Sequence, residues 1–269
     1  IMTFMLFSCA KFSRKGLSAE ALPVEGNPLA SFRILLNIGS ANDPPGKEGL
    51  CQLTLSMLAN GGSKSLTFKE IQKKFYPMAA SVGLAVDKEM SVFSGTIHVD
   101  NLEKYYAIFK DMLLDPGFRE EDFNRIKTRQ LNFVEKNLVS NMDEQFGKEI
   151  LNLMIYEGHP YGHNEAGTVE SLKSLTLDDI KSFYKEYFVQ GNITIGLAGG
   201  YPASFPPKVV KGFSSLPEGK TPKLRLPEQR KPSGFEIVIA EKKTPATAIS
   251  MGFPVSISKA DPGYFLPCS

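Results

Sequence analysis

The residue pair with the spacing of a metal site is His159 and His163, which lie four positions apart with acidic residues nearby. Two imidazoles at this spacing converge on one metal ion only when a helix places them on the same face. Pro160 and Gly162 interrupt the run, and a His-Pro-Tyr-Gly sequence is typical of a turn. The sequence therefore predicts a structural loop here. His98 lies on a predicted strand with no second candidate ligand beside it.

Other patterns that carry chemistry are weak in this sequence. The glycine pairs at 61–62 and 199–200 are too short to cradle a phosphate and match neither the dinucleotide-binding nor the Walker pattern. The three cysteines, Cys9, Cys51 and Cys268, have no C-x-x-C spacing and predict neither a zinc cluster nor a complete disulfide framework. With 31 basic and 29 acidic residues the net charge is +2, which argues against a nucleic-acid partner.

The chain of 269 residues is long enough to bury a substantial core, in one large or two smaller domains. Its first residues are apolar only as far as Ala10, which is too short to span a membrane. Cys9 resembles the lipid-attachment cysteine of an export signal, although a charged region before it is missing. A clipped export signal would favour the cell envelope or periplasm, and a frayed chain end is the alternative; the compartment stays open.

Apolar periodicity predicts an α/β unit with the element order β-α-α-β-β-α-α-α-α-β. Its first helix begins after Lys47, carries an apolar stripe from Leu50 to Leu58 and ends at the glycine pair 61–62. Capping-box patterns mark the starts of two further helices. The other main predicted elements are a strand at 30–38, a hairpin of strands at 81–88 and 90–99, helices that begin at Thr67, Asp100 and Thr176, and a strand at 192–200.

The chain divides into four predicted segments. Residues 1–29 are an N-terminal segment that can be the remnant of a leader, and residues 30–200 form the α/β domain. Residues 201–233 contain seven prolines and predict a linker. Residues 234–269 predict the start of a second domain, with strands at 235–241 and 247–253. Because so short a unit cannot fill a core of its own, we expect the chain to be a fragment of a longer protein.

Several stretches agree in order and spacing with the motifs of a known family. They are NIGSANDPPGKEGL at 37–50, DMLLDPGF at 111–118, HPYG at 159–162 followed by GTVESL at 167–172, and the segment 175–200. Together they resemble the insulinase (pitrilysin) family of zinc metallopeptidases, including its members similar to the mitochondrial processing peptidase. The resemblance covers residues 30–200, and SMGFP at the end of the chain resembles the opening of the family's second domain.

The resemblance implies an α+β fold in which a mostly antiparallel mixed sheet packs against helices in two layers. It also implies the location of a catalytic helix. Active members carry an inverted zinc motif, H-x-x-E-H, in which two histidines bind the metal and the glutamate activates a water molecule. Anchored on residues 49–50, these positions become Gln52, Leu55 and Ser56.

The side chains at these positions are unsuited to zinc chemistry. Leu55 has no basic atom to accept a proton, and the neutral groups of Gln52 and Ser56 are poor ligands beside imidazole. By the family's spacing the third ligand, a glutamate, falls near Phe133 and Val134; Glu135 is close, but one carboxylate alone cannot hold catalytic zinc. The resemblance therefore implies a degenerate catalytic helix, whereas the stretch taken by itself equally fits an ordinary amphipathic helix.

Three functions are compatible with this resemblance. The first is a noncatalytic domain that pairs with a zinc-bearing homologue and encloses a peptide substrate in a processing chamber, with zinc held only in the partner. The second is a structural subunit of a larger complex, similar to the core subunits of the respiratory cytochrome complex. The third is a zinc-dependent endopeptidase that uses an unrecognised site. The residues that hold the peptide stay unassigned.

Overall fold

The protein was analysed as a computed structural model that describes residues 10–14, 17–220, 224, 226–228, 234–242 and 247–255. In this part of the chain, no helix is long and apolar enough to cross a membrane. Cys9, Cys268 and the apolar chain start lie outside the described residues.

The described residues form a six-stranded sheet with the strand order β1-β2-β6-β3-β5-β4. Strands β2 and β6 pair in parallel, and the other neighbouring pairs are antiparallel. This confirms the predicted mixed, mostly antiparallel sheet. The strands are β1 (Ala10–Arg14), β2 (Leu17–Pro23), β3 (Leu29–Leu36), β4 (Gly83–Val86), β5 (Ser91–His98) and β6 (Ile193–Gly199).

Helices pack against one face of this sheet. On the central strand β3, Phe32, Ile34 and Leu36 are fully buried in the core, whereas Ser31 and Arg33 point to the opposite, open face and keep partial or full exposure. The helices are α1 (Leu50–Asn60), α2 (Phe68–Phe75), α3 (Leu102–Leu114), α4 (Glu120–Asn132), α5 (Asp143–Ile155), α6 (Val169–Ser174), α7 (Leu177–Tyr187) and α8 (Phe205–Phe213). A π-helical segment, Phe133–Asn141, continues α4.

An aromatic cluster joins the sheet to its helical layer. The ring of Phe32 lies 5.6 Å from that of Tyr105, 5.8 Å from that of Phe109 and 5.7 Å from that of Phe205, measured between centroids. Tyr105 donates a hydrogen bond of 2.8 Å to the carbonyl of Ser81, so its hydroxyl is satisfied although the ring is buried. The cluster therefore packs two helices, α3 and α8, and the sheet into one core.

The prediction that residues 1–29 stand apart from the domain is wrong for the part that the structure describes. Strand β2 pairs with β6 from Ser18, opposite Thr194, to Pro23, opposite Gly199. The buried residues of β2 alternate with polar ones, and two of the three are alanines. Alanine and glutamate are poor strand formers, which is why this short alternation gave little signal in the sequence.

The predicted proline-rich linker also needs correction, because part of it is helix α8. Pro206 and Pro207 occupy the first turn of α8, where the missing amide hydrogens are not needed. Phe205, Val209 and Phe213 on this helix are almost completely buried. The domain therefore continues at least to the end of α8 instead of ending at residue 200.

The strands predicted at 235–241 and 247–253 are not present in the described residues of these stretches. A strand requires a hydrogen-bonded neighbour, and neither stretch pairs with the six-stranded sheet. Their apolar side chains stay in solvent, as shown by Phe235, Ile239 and Met251, which are 88%, 82% and 85% exposed. Helix α6 was missed, although Thr168 and Ser171 form its capping box.

The burial of α8 predicts the effect of truncating its first aromatic residue. We expect Phe205→Ala to lower the free energy of unfolding by about 3–5 kcal/mol, because it opens a cavity beside Phe32. Chemical denaturation followed by circular dichroism measures this change. Phe235→Ala is the matched control, and we expect it to change stability by less than about 0.5 kcal/mol because the ring is exposed. Equal effects of the two substitutions would contradict the revised domain limit.

Candidate functional site

The candidate site is built around α1, the helix that carries the degenerate motif. Its apolar face is buried completely at Leu53, Leu55 and Leu58. The helix begins after Gly49, whose φ of 90° lies in the left-handed region that glycine adopts readily. A Cβ added at this glycine would lie 2.6 Å from the carbonyl oxygen of Ala166. Ala166 belongs to the loop between α5 and α6, here called the central loop, and its close approach also requires glycine at this position.

The start of α1 is held by the carboxylate of Asp43, whose side chain has no exposed surface. Its Oδ2 accepts a hydrogen bond of 2.7 Å from the amide of Gly49, and its Oδ1 accepts one of 2.7 Å from the amide of Cys51. A negative charge at a helix start interacts favourably with the helix dipole. Burial nevertheless raises the pKa of Asp43 above its ordinary value, because the loss of hydration outweighs these hydrogen bonds and the nearby His163.

The loop that contains His-Pro-Tyr-Gly closes over the same helix start. The Nε2 of His163 lies 3.3 Å from Oδ2 of Asp43. Lys88 makes a salt bridge of 2.8 Å with Glu165 and donates a hydrogen bond of 2.5 Å to the carbonyl of His163. These contacts tie the loop both to α1 and to the β4–β5 hairpin, so His163 has a structural partner in place of a metal.

A buried amide completes this attachment from the side of α4. The Nε2 of Gln130 donates hydrogen bonds of 3.0 Å to the carbonyl of Gly49 and 2.9 Å to the carbonyl of Ala166. Gly167, with a φ of 82°, packs so closely that an added Cβ would lie 2.1 Å from the carbonyl oxygen of Glu48. The helix, the loop and α4 are thus fixed to one another by buried polar contacts.

The three positions of the degenerate motif lie on this rigid helix. The Nε2 of Gln52 donates a hydrogen bond of 3.0 Å to the hydroxyl oxygen of Ser56. The two side chains that replace the histidines therefore satisfy each other. Leu55 is completely buried and belongs to the apolar core. At the motif positions, α1 therefore carries neither a general base nor a pair of nitrogen ligands.

The region of the third ligand is the π-helical segment that continues α4. Val134 is buried, Phe133 is 37% exposed and Glu135 is exposed to solvent. The described residues contain no group of three or more His, Cys, Asp or Glu side chains that could hold a metal ion. The residues present around α1 therefore do not fit the zinc ion that the motif requires in active enzymes.

The two histidines of the central loop have separate surroundings. The ring of His159 packs against Tyr161 at 4.6 Å and Tyr156 at 5.4 Å, and its Nδ1 accepts a hydrogen bond of 3.1 Å from the amide of Tyr161. Burial lowers the pKa of His159. His163 faces Asp43 instead, so the loop positions its histidines for packing and hydrogen bonding, as the turn sequence indicates.

The mixed sheet with helices on one face, and the position of α1 after the 37–50 segment, fit the metallopeptidase type of domain that the sequence resembles. Comparison with known families identifies which one. The profile described as Insulinase (Peptidase family M16) matches residues 23–167, which is more than half of the chain. A second profile, described as Peptidase M16 inactive domain, matches residues 174–266. The chain belongs to the insulinase family.

Individual relatives agree with this assignment. An uncharacterized zinc protease of Bacillus subtilis, YmxG, is 22% identical over 86% of this chain and 56% of its own length. The probable mitochondrial-processing peptidase subunit beta of Schizosaccharomyces pombe is 25% identical over 88% of this chain and 52% of its own. A peptidase M16 inactive domain from Pseudomonas fluorescens superposes with a TM-score of 0.73 at 25% identity, over 84% of this chain and 54% of that structure.

The chain spans about half the length of these relatives. The fold and the family are thus established, whereas the activity of a whole protein is a separate question. Sequence reasoning located α1 correctly but missed the Asp43–His163 contact. The sequence signal for this contact is indirect. An aspartate in the Asn-Asp-Pro-Pro turn lies just before a helix start, where its carboxylate can accept hydrogen bonds from backbone amides that have no partner within the helix.

The burial of Leu55 predicts the result of restoring the catalytic glutamate. We expect Leu55→Glu to lower the free energy of unfolding by about 3–5 kcal/mol, since it places an unpaired carboxylate in the core. Leu55→Met is the control, with an expected loss below about 1.5 kcal/mol. Denaturant unfolding measures both. A Leu55→Glu protein as stable as the parent would show that this side chain can turn towards solvent, where a general base would be needed.

The raised pKa of Asp43 predicts a pH dependence. A folded-state pKa above the unfolded value of 3.8 means that the contribution of Asp43 to stability is present at low pH and is lost as pH rises through the folded-state pKa. We expect the stability of the parent protein relative to Asp43→Asn to fall as pH rises above 3.8. Comparing the two proteins at each pH cancels the contributions of the other carboxyl groups to stability, because both proteins contain them. A relative stability that rises with pH would show that the hydrogen bonds outweigh desolvation.

Proposed function

We propose that this chain is the noncatalytic member of an insulinase-type pair, which combines with a zinc-bearing homologue to enclose a peptide during processing. The observation that carries the proposal is the hydrogen bond from Gln52 to Ser56 on a helix where Leu55, at the position of the catalytic glutamate, is buried. The helix keeps its place in the fold while its side chains lack the ligands and the base for zinc hydrolysis. In this proposal zinc belongs to the partner alone.

The edge of the sheet supports a role in holding peptide. Strand β4 is the terminal strand of the sheet, pairs with β5 on one side and contacts α1. An extended peptide can add to such an edge as a further antiparallel or parallel strand through main-chain hydrogen bonds. This mode of binding requires no particular side chain from α1, so it survives the loss of the metal ligands.

The relatives support an assembly. The Schizosaccharomyces pombe relative is a subunit of a peptidase, and the Pseudomonas fluorescens structure is of an inactive domain. Neither of these relatives is described as an enzyme that acts alone. The alternative of a structural subunit in a larger complex shares this feature, and the two functions differ in whether the assembly cuts peptides.

A mixing experiment tests the proposal. This chain and a homologue from the same organism that carries the complete H-x-x-E-H motif are purified separately. Cleavage of an unfolded peptide is then measured for each protein alone and for their mixture. We expect less than stoichiometric zinc in this chain by metal analysis, no chelator-sensitive cleavage by it alone, and stimulation of the homologue by at least about tenfold on mixing.

Two outcomes would contradict this function in different ways. One tight zinc ion per isolated chain, with cleavage that a chelator abolishes, would show an active peptidase with an unrecognised site. Stable incorporation into a complex that cuts no peptide would favour the structural subunit. The Gln52→Ala variant, which removes the hydrogen bond to Ser56, is expected to retain the stimulation because neither group contributes to hydrolysis in this proposal.

A further inference from the structure

The central loop, residues 156–168, is held over the start of α1 mainly by polar contacts. In the part of the chain that the structure describes, no hydrophobic side chain from 156 to 165 belongs to the core or packs against it, and Ala166 is the first that does. A segment with few buried apolar contacts opens at a low free energy unless its polar contacts hold it. The contact between Asp43 and His163 therefore contributes directly to how firmly the loop is closed.

The Asp43 side of this contact is fixed to α1. Its carboxylate is completely buried and accepts hydrogen bonds of 2.7 Å from the amides of Gly49 and Cys51. The thiol of Cys51 and the hydroxyl of Tyr187 are further titratable groups beside it, and burial raises the pKa of both, so neither carries a charge at neutral pH. Among the described residues that act on Asp43, His163 is the one that can supply a positive charge.

The His163 side of the contact can change its charge. The Nε2 of its ring lies 3.3 Å from Oδ2 of Asp43, and the side chain is only 16% exposed, so solvent screens the interaction weakly. Imidazole is the side chain that ordinarily gains or loses a proton between pH 5 and 8. A hydrogen bond between two charged groups is roughly twice as strong as one between neutral groups. Protonation of the ring therefore strengthens the attachment of the loop.

The other charged groups around this contact are paired with one another. The Nζ of Lys88, on the turn between β4 and β5, lies 2.8 Å from Glu165 and donates a hydrogen bond of 2.5 Å to the carbonyl of His163. Before α1, the Nζ of Lys47 lies 3.0 Å from Oδ2 of Asp179 on α7. Lysine and carboxylate side chains ordinarily titrate outside the range from pH 5 to 8. Within this range the change of charge at the loop is therefore that of the imidazole.

We infer that Asp43 and His163 form a pH-dependent latch, which holds the central loop on the start of α1 more firmly at mildly acidic pH than at alkaline pH. Protonation of the ring produces an ion pair, whereas its loss leaves a buried carboxylate opposite a neutral ring. Lys88 attaches the loop in both states, so the latch changes how often the loop opens and leaves the fold intact. Neither Gln52 nor Ser56 takes part, and the latch operates in the isolated chain.

Hydrogen exchange of the complete chain, measured by mass spectrometry at about pH 5.5 and about pH 8, tests the latch. The readout is the protection factor of peptides from 156–165, where the amides of His159 and Gly162 donate hydrogen bonds of 2.9 Å within the loop. Protection factors correct for the pH dependence of intrinsic exchange, and peptides from α7 report any change in global stability. Relative to α7, we expect the loop to be at least about fivefold better protected at the lower pH, because the charged pair is the stronger one.

Variants assign the effect to the pair. His163→Gln keeps a hydrogen-bond donor but cannot gain a charge, so we expect its loop to show, at both pH values, the protection of the parent at the higher pH. Asp43→Asn should also abolish the pH difference, and His163→Gln carries the test if Asp43→Asn does not fold. His159→Gln is the matched control in the same loop, where the ring packs against Tyr156 and Tyr161, and it should keep the pH difference of the parent.

Three results would overturn the inference. Equal protection of the parent loop at both pH values, or better protection at the higher pH, would show that the contact acts only as a fixed structural hydrogen bond. A pH difference that persists in His163→Gln would assign the effect to another group. Loss of the difference in His159→Gln would assign it to the second histidine of the loop.

Discussion

The burial of the apolar face of α1 is the constraint on which the rest of the structure depends. Leucines on this face are packed into the core, and the start of the helix is fixed by Asp43 together with the loop that contains His163. None of these contacts involves Gln52 or Ser56. The position of the helix is therefore independent of zinc chemistry, which explains how the fold persists when the catalytic side chains are absent.

The network at the start of α1 also accounts for residues that resemble a site but act as structure. A histidine, a lysine and two carboxylates meet where the central loop crosses the helix. Titratable groups that gather in this way commonly indicate catalysis. Here each group has a defined partner. The buried carboxylate of Asp43 accepts hydrogen bonds from backbone amides that would otherwise be unsatisfied. Their geometry orients the helix and the loop, and the chemistry of a metal site is not needed to explain them.

The two faces of the sheet differ in their use. One face is filled by the aromatic cluster around Phe32 and by the helices, and it supplies the core. The other face carries short side chains, and among the described residues β4 is an edge strand that pairs on one side only. In the proposed function the chain holds a peptide by main-chain pairing at this edge, an interaction that is independent of the side chains of α1.

The sequence by itself determined the family, the central elements and the degenerate state of α1, because apolar periodicity and motif spacing are local properties that survive without knowledge of contacts. It did not reveal that β2 and α8 belong to the domain: their alanines and prolines are poor local signals, and they acquire their structure from pairing with β6 and from packing against Phe32. The tertiary structure alone also decided that Asp43 meets His163 and that Gln130 joins Gly49 to Ala166. Such contacts join residues far apart in the chain, and their energies depend on burial that only the folded protein defines.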